Sequence, residues 1–300
     1  MEDKGNTLRT PTVALGYEDD RFIWKTMQRD KIVLHWYGGS ETEAQRLLGY
    51  ASNSLARIQE DMGLAVQEAV QIYSYRNKED MSSALSSRSD AYDDRILTLG
   101  VAADRATLIL LGTHADVEHT IAHELSHIVV GLATENAYSP PPRWLDEGLA
   151  MYAEGKLGDN NRRALDNAVK GDHLISVRSL SGYAGDPAQV DLFYGEAYSL
   201  IDFMLRAYGR GKMGKLLEQV RSGAYQEDAL QQVYGFGLDE LDLQWRKSLG
   251  LDPRGTRMPG PAATPAPATN RGSRPCLNLI YGLFAAVALV WSDRSHARTA

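Results

Sequence analysis

The sequence predicts an α+β fold: a small N-terminal mixed sheet with helices, then a mainly helical C-terminal half, a linker and a C-terminal apolar helix. Two patterns support this prediction. Before Gly112, short apolar runs bounded by Gly and polar residues are typical of strands. After it, apolar residues recur at intervals of three and four, as on one face of a helix. With 300 residues, 43% of them hydrophobic, the chain can bury a substantial core as one or two domains.

The first half of the chain contains the strand-like runs, which predict strands at residues 31–37, 69–75, 96–101 and 106–111. The last two form a hairpin around an Ala-Ala-Asp-Arg turn. A helix is predicted from Glu41 to Met62 because its apolar residues recur at three and four, and Gly63 ends it. Residues 1–20 are polar and predicted to be frayed, and the Ser-rich stretch 81–94 is predicted to be a loop.

The second half of the chain has the periodicity of helices. The first helix is predicted at 114–130, with Thr113 and Asp116 as a capping box at its start. Pro140 to Pro142 interrupt the chain and open a second helix at about 143–154. Further helices are predicted at about 161–170, 191–208, 211–221, 225–233 and 238–249.

The end of the chain changes in composition. We predict a folded domain at 21–250 and a linker at 251–275, because a segment rich in Pro, Gly, Ala and Thr cannot pack a core. Residues 276–291 carry no charge, which predicts a transmembrane helix at 276–292 and a tail at 293–300. A partner-binding or appended apolar tail is the alternative. Arginines flank the segment on both sides, so the side of the membrane is not fixed.

Charge and cysteine content narrow the class of protein. The net charge of -7 and the lack of a basic run argue against nucleic acid as a partner. Cys276 is the single cysteine, so no intramolecular disulfide can form and a cysteine-ligated zinc site is excluded. Residues 1–20 contain no apolar region of a secretory signal peptide. The protein is therefore either not exported by that route or begins further upstream.

An H-E-x-x-H motif lies inside the predicted helix at 114–130, and it consists of His123, Glu124 and His127. Residues four apart lie on the same face of a helix, so the two imidazoles can hold one ion. Glu124, beside the first imidazole, can reach a water molecule there and is predicted to be the catalytic base. An accidental match on a helix is the alternative.

A third ligand is needed, because catalytic zinc sites use three protein ligands, and two histidines with one glutamate form one such set. Glu147 follows His127 after nineteen residues, on the helix that the three prolines open. That helix can pack antiparallel to the first one. The sequence therefore predicts Glu147 as the third ligand.

Three other residues compete for the ion. Asp146 points about 100° away from its neighbour on a helix, and Glu154 lies two turns further along. Both are predicted to be solvated surface groups or groups that hold the ligands. His119 lies one turn before the first ligand and is predicted to be exposed or capping, with a role as substitute ligand or donor as the alternative.

The motif pair resembles the gluzincin arrangement, as in thermolysin and the zinc aminopeptidases. The string WLDEGLAMYAEG at 144–155 resembles the peptidase MA-like domain family more closely. The resemblance covers about residues 20–250. It implies a gluzincin-like fold, one Zn²⁺ ion held by His123, His127 and Glu147, and hydrolysis of a peptide or protein substrate.

The resemblance to zinc aminopeptidases also implies a tyrosine that stabilises the oxyanion. Tyr194 matches the tyrosine of their Tyr-x-x-Gly/Ala helix, and Tyr198, one turn further on, is the alternative. Either tyrosine can instead be an aromatic side chain that packs in the core.

The chain has no G-x-M-E-N motif, the motif whose glutamate binds the free N-terminus of a substrate, and this favours an endopeptidase over an aminopeptidase. Gly100, Val101 and Ala102 lie at a similar point and are predicted to pair with an extended substrate backbone. Two other readings stay open. One is a catalytically inactive scaffold that binds a peptide or a protein partner, and the other is a zinc hydrolase of a non-peptide amide. The sequence does not indicate the oligomeric state.

Overall fold

The computed structural model describes residues 19–85, 100–135, 140–182 and 186–254. The N-terminal part of these ranges contains β1 (Lys25–Arg29), β2 (Ile32–Trp36), α1 (Glu41–Met62), β3 (Val70–Tyr75), α2 (Lys78–Ala84), β4 (Gly100–Asp104) and β5 (Thr107–Leu111). The rest is helical, with α3 (Val117–Thr134), α4 (Arg143–Ala153), α5 (Asp159–Gly171), α6 (Val190–Tyr208), α7 (Arg210–Arg221), α8 (Gln226–Tyr234) and α9 (Leu238–Ser248). The predicted α+β class, a small N-terminal mixed sheet followed by a helical remainder, is confirmed.

The strands form one sheet in the order β1-β2-β3-β5-β4. The three central strands run parallel, whereas β1 and β4 are antiparallel to their neighbours, so the sheet is mixed. β1 and β4 are its two edges. β4 contacts α3, so this edge of the sheet lies directly against the helix that carries the H-E-x-x-H motif.

The inner face of the sheet shares one hydrophobic core with the helices. Leu34, Ile72 and Leu108 pair across three neighbouring strands and are buried, and α1 covers this face with its apolar stripe, which includes Leu55 and Ile58. Burying a side chain of this size contributes about 1.5–3 kcal/mol. α3 contacts α1, β4 and α4 in turn. The core therefore fixes the position of α3 relative to both the edge strand and α4.

The ends of α1 agree with the predicted bounds because both are capped. The Ser40 hydroxyl accepts a hydrogen bond from the N–H of Glu43, and the Glu43 carboxylate accepts one from the N–H of Ser40. Gly63 has φ 64° and donates its N–H to carbonyls of the last turn. A residue other than glycine would be strained in this left-handed conformation.

The Ser-rich stretch predicted as a loop at 81–94 begins inside a helix, so this prediction is wrong for its first residues. The side chain of Asn77 caps α2 by accepting a hydrogen bond from the N–H of Asp80. Met81 is buried with Tyr75 on the outer face of the sheet. Burial of one large apolar side chain therefore outweighs the polar composition. Residues 86–94, and the start of the predicted strand at 96–99, lie outside the described residues.

The predicted hairpin is present, but its turn lies further along the chain. β4 continues through Asp104, which pairs with Thr107, and Arg105 and Ala106 form the turn. The extension crosses an irregularity between Ala102 and Asp104, a feature that residue composition does not reveal.

The capping box predicted at the start of α3 is absent. Asp116 is the N-cap residue but makes no side-chain capping bond, and the hydroxyl of Thr113 donates instead to the carbonyl of Arg76. α3 also begins and ends later than predicted, at Val117 and Thr134. The Thr113 hydroxyl, which was predicted to cap the helix, instead makes a tertiary hydrogen bond to the loop after β3.

The remaining predictions about the chain ends fall largely outside the described residues. These are the frayed N-terminus, most of the linker, the transmembrane helix at 276–292 and the tail at 293–300. Within the described ranges, no helix combines the length and the apolar character that a membrane span requires.

Candidate metal centre

Two imidazoles project from one face of α3. His123 and His127 lie one turn apart, and their ring centroids are 4.9 Å apart. Nδ1 of His123 is 2.8 Å from Oε1 of Glu154, and Nδ1 of His127 is 2.9 Å from Oδ1 of Asp146. Each carboxylate therefore engages one ring nitrogen and leaves Nε2 of the same ring as the donor atom available to an ion.

The third side chain comes from α4. Oε2 of Glu147 lies 3.7 Å from Nε2 of both His123 and His127, and the three potential ligand atoms all lie within 4.8 Å of one another. Tetrahedral zinc with bonds of about 2.0–2.1 Å places its ligand atoms about 3.4 Å apart. The cluster would contract on binding an ion, least of all between Glu147 and the two imidazoles.

The burial of the glutamate supports a metal at this point. Glu147 is 5% exposed, and its Oε2 is buried without a hydrogen-bond partner. A buried carboxylate oxygen without a partner carries a large desolvation penalty. A cation bound between this oxygen and the two imidazoles would remove that penalty. These three residues therefore fit a divalent metal ion.

Local sequence explains how α4 presents its acids. Pro142 precedes the helix, and its carbonyl accepts hydrogen bonds from the N–H groups of Leu145 and Asp146. Trp144 and Leu145, just before the two acids, are fully buried and anchor the first turn of the helix in the core. Consecutive residues on a helix differ by about 100° in direction. Asp146 and Glu147 can therefore meet different atoms of the same cluster.

Gly148 allows α4 to pack closely on α6. A Cβ atom at this position would lie 2.6 Å from Cγ1 of Ile201 and 2.7 Å from the carbonyl oxygen of Ala197. The glycine that follows the proposed ligand therefore sets the spacing between two helices behind the site.

Glu124 is half-buried between α3 and the edge strand. Its carboxylate accepts a hydrogen bond from the N–H of Ala102 on β4. Burial raises the pKa of the Glu124 carboxyl, against the opposing effect of His127 and His123. A carboxylate with a raised pKa is a stronger base, as a general base requires.

The cluster carries an excess of negative charge. Burial disfavours a charge on His127, but Asp146, Glu147 and Glu124 outweigh that effect and raise the pKa of His127 to about 9. The negative potential that raises this pKa would also stabilise a divalent cation bound at the imidazoles.

The edge strand lies close to α3 at Gly100. A Cβ atom there would lie 2.9 Å from Cγ2 of Thr120 and 3.1 Å from Cγ of Glu124. Ala102 is exposed and Val101 is half-buried. The three residues predicted to contact substrate therefore lie on the strand beside the predicted base.

The two tyrosines of α6 have different surroundings. Tyr194 is partly buried against the main core, with its ring edge-on to Phe193 at a centroid distance of 5.6 Å. The ring of Tyr198 lies 5.9 Å from that of Tyr152, and burial together with Asp202 raises the pKa of its hydroxyl. The role predicted for either tyrosine in catalysis stays a prediction.

Four residues near the cluster have contacts that the sequence left open or did not indicate. Asp146 and Glu154 bond to the imidazoles, which selects one of the two alternatives given for them. His119 contacts the carbonyl of Glu154 through Nδ1 at 3.0 Å. Arg143 was not predicted, although its position four residues before Glu147 is a helical ion-pair spacing.

The fold and the site together define a chain with a candidate metal centre of two histidines and one glutamate on two packed helices. The model of the Peptidase MA superfamily matches residues 50–250, and the chain belongs to that superfamily. No curated protein matches the chain in sequence.

Solved structures resemble the chain at low identity. The M1 zinc metallopeptidase from Deinococcus radiodurans is 16% identical with a TM-score of 0.40, over 78% of this chain and 51% of the other. A mutant of the M1 zinc metallopeptidase from the same organism, bound to a Tyr-Ser-Ala substrate, is 16% identical with a TM-score of 0.42, over 80% and 54%. The chain thus spans about half the length of these structures.

Proposed function

We propose that this protein hydrolyses peptide bonds with one zinc ion held by His123, His127 and Glu147. The observation that carries the proposal is the convergence of three potential ligand atoms within 4.8 Å, one of them a buried carboxylate oxygen without a hydrogen-bond partner. Zinc bound there would act as a Lewis acid, lowering the pKa of water and polarising a carbonyl group. Membership of the Peptidase MA superfamily supports the choice of peptides as substrates.

Glu124 is proposed as the general base. It follows His123 on the same helix and is held against the edge strand by the N–H of Ala102. From this position the carboxylate would accept a proton from the attacking water and return it to the amine that leaves. The same carboxyl group would hold the proton between the two transfers.

We further propose an endopeptidase rather than an aminopeptidase. An extended substrate would lie along β4, the edge strand that reaches Glu124, with its backbone beside Gly100, Val101 and Ala102. Recognition through a strand edge uses the peptide backbone and needs no free N-terminus. The absence of a G-x-M-E-N motif supports this choice.

The test compares Glu124→Gln with Glu147→Ala, since the two acids have different proposed roles. We expect Glu124→Gln to keep zinc, measured by elemental analysis, and to lose at least about 10²-fold in turnover of an unfolded protein substrate. Glu147→Ala should lose the zinc itself. A parent protein that binds zinc and yet cleaves neither unfolded protein nor peptides with a blocked or a free N-terminus would favour the binding scaffold instead. Cleavage that a chelator abolishes would support the zinc peptidase.

The membrane tether through residues 276–292 stays a prediction, as does the membrane localisation that follows from it. It is independent of the metal centre, because the residues that form the centre lie between 123 and 154.

A further inference from the structure

The two oxygens of the Glu147 carboxylate have different partners. Arg143, the first residue of α4, lies one turn earlier and donates from Nη2 to Oε1 of Glu147. The other oxygen, Oε2, is the one that lies 3.7 Å from Nε2 of His123 and of His127. One oxygen is thus tied to a guanidinium, and the other faces the imidazoles.

The same guanidinium approaches a second acid of the cluster. Nη1 of Arg143 lies 3.9 Å from Oδ2 of Asp146, whose Oδ1 engages Nδ1 of His127. The Arg143 side chain is 22% exposed and that of Glu147 is 6% exposed. The planar fork of a guanidinium suits two acids side by side, and partial burial makes the contact stronger than an exposed helical ion pair.

We propose that Arg143 is a positioning residue for the metal ligand Glu147: it holds Oε1 and thereby presents Oε2 toward the imidazoles as a single-oxygen ligand. This inference rests on the zinc site proposed above. Arg143 acts through Glu147, and through Asp146 on His127, and it touches neither the substrate nor the attacking water.

Loss of the guanidinium has two opposite effects on zinc affinity. A positive charge near the site repels a divalent cation, so its removal alone would tighten binding. Removal also frees the Glu147 side chain. Zinc binding must then order this side chain, and the conformational entropy lost weakens binding. Groups that hold a metal ligand contribute about 10- to 100-fold in affinity. The sign of the change therefore separates a positioning role from a purely electrostatic one.

The test measures the zinc dissociation constant by competition with a chromogenic chelator, for the parent, R143Q, R143K and R206Q. Arg206 is the control, because it forms an ion pair with Asp202, four residues earlier on α6, at a more exposed position. Thermal unfolding of the zinc-free proteins is measured in parallel. It reports how much each lost ion pair contributes to the stability of the zinc-free protein.

We expect R143Q to bind zinc at least about tenfold more weakly than the parent, and R206Q to bind it equally. R143K should also bind more weakly, because an ammonium group cannot hold both acids in a fixed plane. Unchanged or tighter zinc binding by R143Q would overturn the inference. If R143Q does not fold, R143K decides the question, with equal affinity as the refuting result. A parent protein that binds no zinc would instead refute the proposed function.

Discussion

Replacing Gly148 by alanine tests whether the spacing of α4 and α6 determines the stability of the site. The added Cβ would lie 2.6 Å from Cγ1 of Ile201 and 2.7 Å from the carbonyl oxygen of Ala197, where contacts of about 3.4 Å or more are normal. The isoleucine can rotate, but a carbonyl in the middle of a helix cannot. The two helices must therefore move apart, and Glu147 moves with α4.

The magnitude follows from two terms. Alanine is better than glycine in a helix by about 1 kcal/mol, whereas overpacking a tight contact costs about 1–3 kcal/mol. Two contacts this short correspond to the upper part of that range, so we expect Gly148→Ala to lower the free energy of unfolding by roughly 1–2 kcal/mol. For a domain of this size the melting temperature should fall by about 2–8 °C.

Gly131 provides the matched control. It lies in α3, and nothing is within 4 Å of a Cβ atom built on it. Gly131→Ala should therefore raise the free energy of unfolding by about 0.5–1 kcal/mol from helix propensity alone. Calorimetry and urea unfolding of both variants give the comparison. A Gly148→Ala protein as stable as Gly131→Ala would show that the helices have room to adjust, and would refute the packing argument.

Two further predictions concern α6. Burial raises the pKa of Glu196 to about 8 from 4.5, so the stability supplied by its proton is complete below pH 4.5 and is lost as pH rises through about 8. The free energy of unfolding of Glu196→Gln minus that of the parent should rise by about 2 kcal/mol from about pH 6 to pH 8, measured by urea unfolding at each pH. A pH-independent difference would contradict this. Tyr194→Phe should lower kcat more than it changes KM in steady-state kinetics. An unchanged rate would assign the oxyanion to Tyr198 or to no side chain.

Local patterns predicted most of the helices and strands. The bounds of α1 follow from apolar periodicity and from caps at Ser40 and Gly63, which act within one turn of the chain. β1 was missed because Lys25–Arg29 is mostly polar and exposed, and it is a strand through pairing with β2. α2 was missed because the burial of Met81 depends on the outer face of the sheet. In both cases residues outside the segment decide the element, namely the neighbouring strand β2 for β1 and the sheet for α2.

The sequence by itself determined which potential ligand groups lie on one face of a helix. The spacing of His123 and His127 places two imidazoles on one face of any helix, because a period of 3.6 residues is a local property of the backbone. Glu124 lies beside them because it is the next residue after His123. The sequence also predicted Glu147 as the third ligand, from its distance along the chain and from the prolines before it.

Only the tertiary structure decided which atoms meet. The packing of α3 against α4 brings one oxygen of Glu147 to 3.7 Å from each imidazole and gives Glu154, Asp146 and Arg143 their partners. These contacts depend on how far two helices approach and how they are rotated about their axes. The side chains of the whole core fix both quantities, and no short segment of the sequence encodes them.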